Sequence, residues 1–205
     1  IATLTNNGTT TLNAAFTTTG NITNDGTVDI NAATEAQDFT NKSGGTIDQA
    51  GDLNVTNALT NNGTLNVTAT SSADVDTFVG AGIVDIASGQ TFTLDQSGTS
   101  SYTGTIEGLG GLTKAGTGTL TLSGGSDNTY SGATNVDNGT LVLDKTAGTD
   151  AISGAVNLNG GTLELGKDNQ IADTSQVTIS SGTFNLANQS ETVGSIDDGG
   201  VAGGS

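Results

Sequence analysis

The sequence contains no cysteine, proline, histidine, tryptophan, methionine or arginine, and its only basic side chains are Lys42, Lys114, Lys145 and Lys167. Each gap removes a class of chemistry. Without cysteine there is no disulfide framework and no thiolate metal site, and the redox compartment is not readable. The formal net charge is −17, so nothing neutralises a row of phosphates, and an anionic membrane surface repels the chain. No apolar run is long enough to cross a bilayer, and the sequence opens at Ile1 with neither an initiator Met nor a charged and apolar signal segment. The chain is therefore expected to be a piece of something longer.

Aromatic residues make up 3%, and Leu, Ile, Val and Phe together roughly a fifth, which lies close to the composition of disordered chains. The absence of Pro and the abundance of Thr and Gly oppose disorder, because acidic disordered segments carry Pro, Lys and Glu whereas Thr favours pleated strands. Periodicity decides between the two.

One short pattern keeps returning: NNGTTTL ending at Leu12, NDGTVDI at Ile30, SGGTIDQ at Gln49, NNGTLNV at Val67, GAGIVDI at Ile86, GTGTLTL at Leu122, DNGTLVL at Leu143, NGGTLEL at Leu165 and SSGTFNL at Leu186. Its glycines are Gly8, Gly26, Gly45, Gly63, Gly82, Gly118, Gly139, Gly161 and Gly182. They recur every roughly 18 to 22 residues, except for a double gap between Gly82 and Gly118 that is expected to hide a degenerate turn near Thr91 to Ile106.

The second and fourth residues after the glycine are apolar, as in Val28 and Ile30, Leu65 and Val67, Val84 and Ile86, Leu120 and Leu122, Leu141 and Leu143, Leu163 and Leu165, and Phe184 and Leu186. That period of two makes a strand with one buried face. The residue between them is mostly polar and faces outward: Thr11, Asp29, Asp48, Asn66, Asp85, Thr121, Glu164 and Asn185. Gln49 at an inward place and Val142 at an outward one break the pattern. A second short strand precedes each glycine, carried by Leu4, Ile22, Phe39 and Leu59 early and by Val136, Leu158, Val177 and Ile179 late.

An Asn-Gly link between short strands suits either an antiparallel hairpin or a corner between faces of a solenoid. Separate hairpins this short bury too little apolar surface, whereas stacked coils share one core that grows with each repeat. The expected fold is all-β: a single right-handed parallel β-helix over 1–205, of about ten coils of roughly 18 to 22 residues. Coils stacked about 4.8 Å apart make a rod on the order of 50 Å long. Thr9, Thr27, Thr46, Thr64, Thr119, Thr140, Thr162 and Thr183 are then expected to form one ladder, as β-branched residues pair well with their own kind.

The stretch GLGGLTKAGTGTLTLSGGSDNTYSGATNVDNGTLVL, from Gly108 to Leu143, resembles the passenger-associated transport repeat of autotransporters. Leu112, Thr113, Lys114, Gly116, Gly118, Thr119, Leu120, Leu122, Ser123 and Gly124 match the first part of that family's pattern. Asn128, Thr129, Tyr130, Gly132, Thr134, Val136, Gly139, Thr140 and Leu141 match the rest. The loop at Gly125, Ser126 and Asp127 is slightly longer than usual, and Ala133 replaces a frequent Gly. The motif, at 109–143, covers about a sixth of the chain. Earlier coils are similar to those of haemagglutinin-like adhesins. The resemblance implies a β-helical passenger exported across a Gram-negative outer membrane, with a signal peptide and a translocating barrel of the same polypeptide outside this stretch.

Acidic residues are the remaining candidates for chemistry. Asp74 with Asp76, or Asp197 with Asp198, could form the carboxylate pair of a glycoside hydrolase, a chemistry known on β-helices. The chain lacks the aromatic and basic side chains that hold sugars, so solvated carboxylates are the simpler reading. Asp29 and Asp48, on adjacent coils, could share a calcium ion. The calcium-binding nonapeptide repeat is absent, however, with only a fragment near Asp127, and Asp85 is expected to lack an equally placed partner. An ice-binding Thr-x-Thr array would need Thr in the second place of every coil, and only Thr11 and Thr121 supply it. The glycine strings Gly108 to Gly111 and Gly199 to Gly204 lack the helix and Lys-Ser/Thr of a phosphate loop. The second string is expected to begin another coil, with Val193 and Ile196 as the last inward residues.

The expectation is thus a structural or adhesive surface element and not an enzyme, with no catalytic residue, cofactor or metal. Its expected partners are surface glycans or proteins of a host or neighbouring cell, or further copies of itself. Neither nucleic acid nor direct membrane insertion is expected, and the location is the cell surface or extracellular space.

Overall fold

The computed structural model describes residues 3–199, and every helix-or-strand element among them is a strand. The strands pair in parallel, each with the strand one coil later, from 17 residues on at Asn24 to Asn41 up to 22 at Thr113 to Asn135. A parallel pair needs a long crossover, and here the crossover is the rest of the coil. The result is the expected parallel β-solenoid of about ten coils.

Each coil visits three faces in turn. The first face holds Thr34–Ala36, the opening parts of Leu53–Asn61 and Ser71–Val79, then Thr91–Gln96, Gly111–Lys114, Thr134–Val136, Val156–Leu158, Gln176–Ile179 and Ser195–Asp197. The second face begins with Leu4–Asn6, Ile22–Asn24 and Phe39–Asn41, and takes in the closing parts of the same two nine-residue strands. The third holds Thr9–Leu12, Thr27–Ile30, Thr46–Gln49, Thr64–Val67, Ile83–Ile86 and Thr105–Gly108.

Within this frame the expected single column of glycine repeats divides into two. Up to Ile86 the strand after the glycine lies on the third face, which then ends at Thr105–Gly108. From Thr99–Tyr102 onward the same motif runs Thr119–Gly124, Thr140–Lys145, Thr162–Leu165 and Thr183–Asn185, in a separate sheet. That sheet continues the second face: Gly80 bridges to Tyr102, and the Phe78 amide donates to Ser100 Oγ at 3.3 Å. The double gap therefore holds a slip of phase and not one weak turn. Gly104 stacks on Gly82 to close the old column, and Gly98 lies beneath Gly118 to open the new one. The expected threonine ladder divides in the same way, into Thr9, Thr27, Thr46 and Thr64 on one face and Thr99, Thr119, Thr140, Thr162 and Thr183 on another. Three of the chain's seven phenylalanines and tyrosines fill the core at this slip. Phe78 stacks on Tyr102 at 4.5 Å and meets Phe92 edge-on at 6.2 Å.

The core is the stack of inward residues. Leu120, Leu141 and Leu163 lie in register and fully inside, as do Leu122, Leu143 and Leu165. Burying each contributes about 1.5–3 kcal/mol before chain entropy is counted. Gln49 occupies its inward place in full, at 0% exposure between Ile30 and Val67. Its Nε2 donates to Ser72 O at 3.0 Å, while Oε1 has no partner. Val142 is half-buried. Leu186 and Ile196, expected inside, are 45% and 61% exposed, because no described coil stacks across them. The string Gly200 to Gly204 lies outside the described residues.

The glycines are fixed by a close approach that recurs at the corners. Each corner glycine carbonyl accepts the amide of the residue that follows the next glycine, as in Thr27 N to Gly8 O at 2.7 Å, Thr46 N to Gly26 O at 2.7 Å and Thr119 N to Gly98 O at 2.9 Å. A Cβ on the later glycine would sit on that oxygen, 2.1 Å away for Gly26 and 2.0 Å for Gly118. Gly8 itself has open space around it. Gly118→Ala is expected to lower the unfolding free energy by about 1–3 kcal/mol, and Gly8→Ala to change it by less than about 0.5 kcal/mol. Denaturant titration of the two variants measures the difference.

Candidate functional site: the corner ladders and the outer face

Inside the corner between the second and third faces runs a ladder of asparagines. Asn6 Nδ2 donates to Asn24 Oδ1 at 2.8 Å, Asn24 Nδ2 to Asn41 Oδ1 at 2.9 Å, and Asn41 Nδ2 to Asn61 Oδ1 at 2.9 Å. Asn61 Nδ2 ends the row on the Tyr102 hydroxyl at 3.1 Å. Each amide also donates to the main chain of the next coil, at Thr27 O, Thr46 O, Thr64 O and Ile83 O. All four asparagines are buried, so each bond replaces water that is not there. The Tyr102 hydroxyl, closing the row in the core, is held protonated by its burial against the opposing hydrogen bond from Asn61. The ladder stops at the coil where the phase slips.

Beyond the slip other polar groups take over the corners. Gln96 Nε2 donates to Gly98 O, Ser100 Oγ and Thr119 O. Lys114, in register between Leu94 and Val136 and fully buried, donates from Nζ to Gly116 O. Lys145, also buried, donates to Ser123 O at 3.1 Å and Gly104 O at 3.3 Å. Asn128 accepts from the Ile106 amide and donates to Ala151 O, both at 2.9 Å, and Gln170 Oε1 accepts from the Lys145 amide at 2.7 Å. Tyr130, buried in the third-face loop, shares a 2.6 Å hydrogen bond with Thr134 Oγ1. Burial pushes the Lys114 ammonium down from 10.5 to about 8, against the Asp95 carboxylate that favours its charge, and burial lowers Lys145 in the same sense.

The outer side of the third face carries a row of acids and neutral donors in register: Thr11, Asp29, Asp48, Asn66, Asp85 and Glu107. Thr11 Oγ1 donates to Asp29 at 2.9 Å and Asn66 Nδ2 to Asp48 at 2.7 Å, so each of the two adjacent carboxylates is bonded from its far side. Asp85 does have a neighbour, Glu107, contrary to the expectation from spacing, because the phase slip hides the glycine before Glu107. No group of three or more acids placed to hold a metal ion occurs among the described residues.

Asp74 and Asp76 are exposed on one strand. Asp74 lies in register between Asn54 and Asp95, and Asp76 accepts from Ser97 Oγ at 3.0 Å. Asp197 and Asp198 are exposed at the last described coil, where Asp197 accepts from the Gly199 amide at 3.1 Å. Two open polar grooves lie elsewhere. One of about 360 Å³ is lined by Thr17, Thr18, Glu35, Gln37 and Asn54, and one of about 490 Å³ by Asp150, Asn169, Asp173 and Thr192. Partial burial, then the Asp127 and Asp173 carboxylates, raise the Asp150 carboxyl above its ordinary value. Neither groove contains an aromatic or basic side chain.

Comparison with known families adds one finding: residues 112–143 and 139–165 match the passenger-associated-transport-repeat. Together they span about a quarter of the chain. The first match coincides with the resemblance read at 109–143, and both matches end at the same level of the second face, where Leu143 pairs with Leu165. Comparison with curated proteins and with solved structures yields no match. The coils from Leu112 to Leu165 thus match the passenger-associated transport repeat, and with the β-solenoid that contains them they support an autotransporter passenger β-helix.

The interior ladder was not read from the sequence, although its signal is there. Asparagine recurs in the same place after a Thr, at Asn6, Asn24, Asn41 and Asn61, and attention to the glycine alone passes over it. Asn41→Ala leaves Asn24 Nδ2, Asn61 Oδ1 and Thr64 O short of a partner and is expected to cost about 3 kcal/mol. Loss of the exposed Asn31–Asn13 bond in Asn13→Ala is expected to cost less than about 0.5 kcal/mol by the same denaturant titration.

The buried lysine gives a pH dependence of definite sign. Between pH 8 and 10.5 the unfolded chain keeps the Lys114 proton that the folded chain releases, so this group makes stability rise with pH across that window. Lys114→Met removes the titration, and its stability relative to the parent is expected to fall as pH rises from 8 to 10.5. Unfolding midpoints taken along that range measure this relative fall, and parallel curves would contradict it.

Proposed function

We propose that this chain is a structural and adhesive stretch of an autotransporter passenger, displayed on or released from a Gram-negative cell, whose coils also assist its export. The observation that carries the reading is the pair of consecutive transport repeats set without interruption into a parallel solenoid. Each coil docks on its neighbour through corner carbonyls, so folding proceeds coil by coil outside the membrane without a finished domain. A barrel of the same polypeptide supplies the pore.

The surface suits that task. Lys114 and Lys145 are inside, while Lys42 and Lys167 pair with Asp25 at 3.4 Å and Asp144 at 2.6 Å. Carboxylates therefore dominate the exterior, which opposes sticking between rods during export. Partners of such a rod are surface glycans or proteins of a host or neighbouring cell, or other rods, engaged through the outward Thr, Asn and Asp rows. The lack of aromatic and basic side chains in the two polar grooves gives a carbohydrate-degrading activity no support there.

Register defines the test. Deleting 112–133 joins Gly111 to Thr134, which pairs with Leu112, and so removes one whole coil of the transport repeat in phase. Deleting 22–38 does the same to an early coil, since Ile22 pairs with Phe39. With the chain fused to a translocating barrel, the first deletion is expected to lower surface display severalfold and the second to leave it within about twofold. Equal display from both fusions would remove the export role of the transport-repeat coils.

A further inference from the structure

Four Asn-Gly pairs occur in the chain: Asn7-Gly8, Asn62-Gly63, Asn138-Gly139 and Asn159-Gly160. As dipeptides they are chemically identical, so any difference between them in the folded protein comes from the fold. The structure separates them. Asn62 Oδ1 is held by the Ala81 amide at 3.2 Å, and Asn159 Nδ2 by Asp137 Oδ1 at 2.8 Å, so both carboxamides are engaged by groups of a neighbouring coil. At Asn7 the Gly8 amide is taken by a different side chain, Asn6 Oδ1, at 3.2 Å.

Asn138 is arranged differently. Its Oδ1 accepts from the amide of its own successor, Gly139, at 2.9 Å, which places the Cγ carbon of the same carboxamide against the Gly139 nitrogen. Gly139 has φ +63, and its turn is pinned from below by Lys114 O, which accepts from the Asp137 amide at 2.9 Å. Asn138 is exposed, so water and base reach it. Fixing a nucleophile beside its electrophile is what converts a slow encounter into a reaction within one chain.

We propose that Asn138 is a site of spontaneous covalent modification, by closure of a succinimide with Gly139 and hydrolysis to aspartate and isoaspartate. Solvent base removes the Gly139 amide proton, and the nitrogen attacks Asn138 Cγ. The new N–Cγ bond forms as the Cγ–Nδ2 bond breaks, and ammonia leaves with a proton from solvent. Water then opens the ring at either carbonyl. Opening at the main-chain carbonyl leaves the chain running through the side-chain carboxyl, one methylene longer between Val136 on the first face and Thr140 on the second. Opening at Cγ restores the backbone with a second carboxylate beside Asp137. No oxidant, metal or enzyme is needed.

The folded chain is incubated in mildly alkaline buffer, digested under acidic conditions, and aspartate and isoaspartate at the four sites are quantified by mass spectrometry and by enzymatic methylation of isoaspartate. A parallel sample is kept in denaturant. In the folded sample Asn138 is expected to convert roughly tenfold faster than Asn62 and Asn159, and in denaturant the four rates are expected to draw together. Asn138→Gln, whose ring closure is unfavourable, is expected to lose the product at this site with its unfolding midpoint unchanged. Conversion at Asn138 no faster than at the other three in the folded chain would overturn the proposal. So would the same ranking persisting in denaturant, because the preference would then not come from the fold.

Discussion

A carbonyl oxygen at each corner, bonded to an amide one coil later, is the contact on which the rest of this structure depends. It joins neighbouring coils at the point where the chain must change direction, and it leaves no room for a Cβ in between. At Gly26 and Gly118 glycine follows from that spacing, since any side chain there would meet backbone oxygen at about 2 Å, while Gly139 at φ +63 needs glycine for its backbone conformation as well. Once the corners stack, the amide after each glycine is fixed in register. The inward residues two and four places on then fall into columns such as Leu120, Leu141 and Leu163 without further instruction.

Polar groups inside the corners carry a second layer of the same logic. A solenoid corner turns main-chain groups toward the interior, and these need donors that water cannot supply. Early coils answer with one residue type, an asparagine that bonds both to its copy and to the next coil's backbone. Later coils answer with a mixture of Gln96, Lys114, Asn128, Lys145 and Gln170, each meeting the carbonyls and amides of its own corner. Two of the chain's four cations are thereby spent on its interior. The outer surface is more uniformly acidic than the composition alone conveys.

The strands, their inward faces and the parallel stacking were legible because period-two alternation after a glycine has one structural meaning when it recurs at coil length. The stretch 109–143 was legible on other grounds, its residue-by-residue resemblance to the transport repeat, which the family match at 112–143 meets. What could not be read was which face each repeat occupied. The glycine motif looks alike in NNGTLNV and DNGTLVL, yet it opens a third-face strand in one and a second-face strand in the other. Local sequence fixes the geometry of a corner, while the face is set by how many residues have been wound before it, and the coils between Gly82 and Gly118 change that count. Asp85 and Glu107 were missed as neighbours on this account, and so was the stacking of Gly104 on Gly82. The destination of Lys114 was hidden for another reason: a lysine in an inward place reads as a defect until its ammonium finds Gly116 O.

The slip of phase also divides what the rod offers to anything lying alongside it. On the third side, the carboxylate row from Asp29 to Glu107 gives way to the irregular segments around Tyr130, Ile152 and Ile171, which follow Ile106 along the same line. A row of acids broken by one amide, Asn66, is thus succeeded along one side of the molecule by irregular segments whose inward residues Tyr130, Ile152 and Ile171 remain in the core. Consecutive lengths of one winding therefore turn two different outer surfaces to the solvent on this side, one repeating from coil to coil and one changing with each.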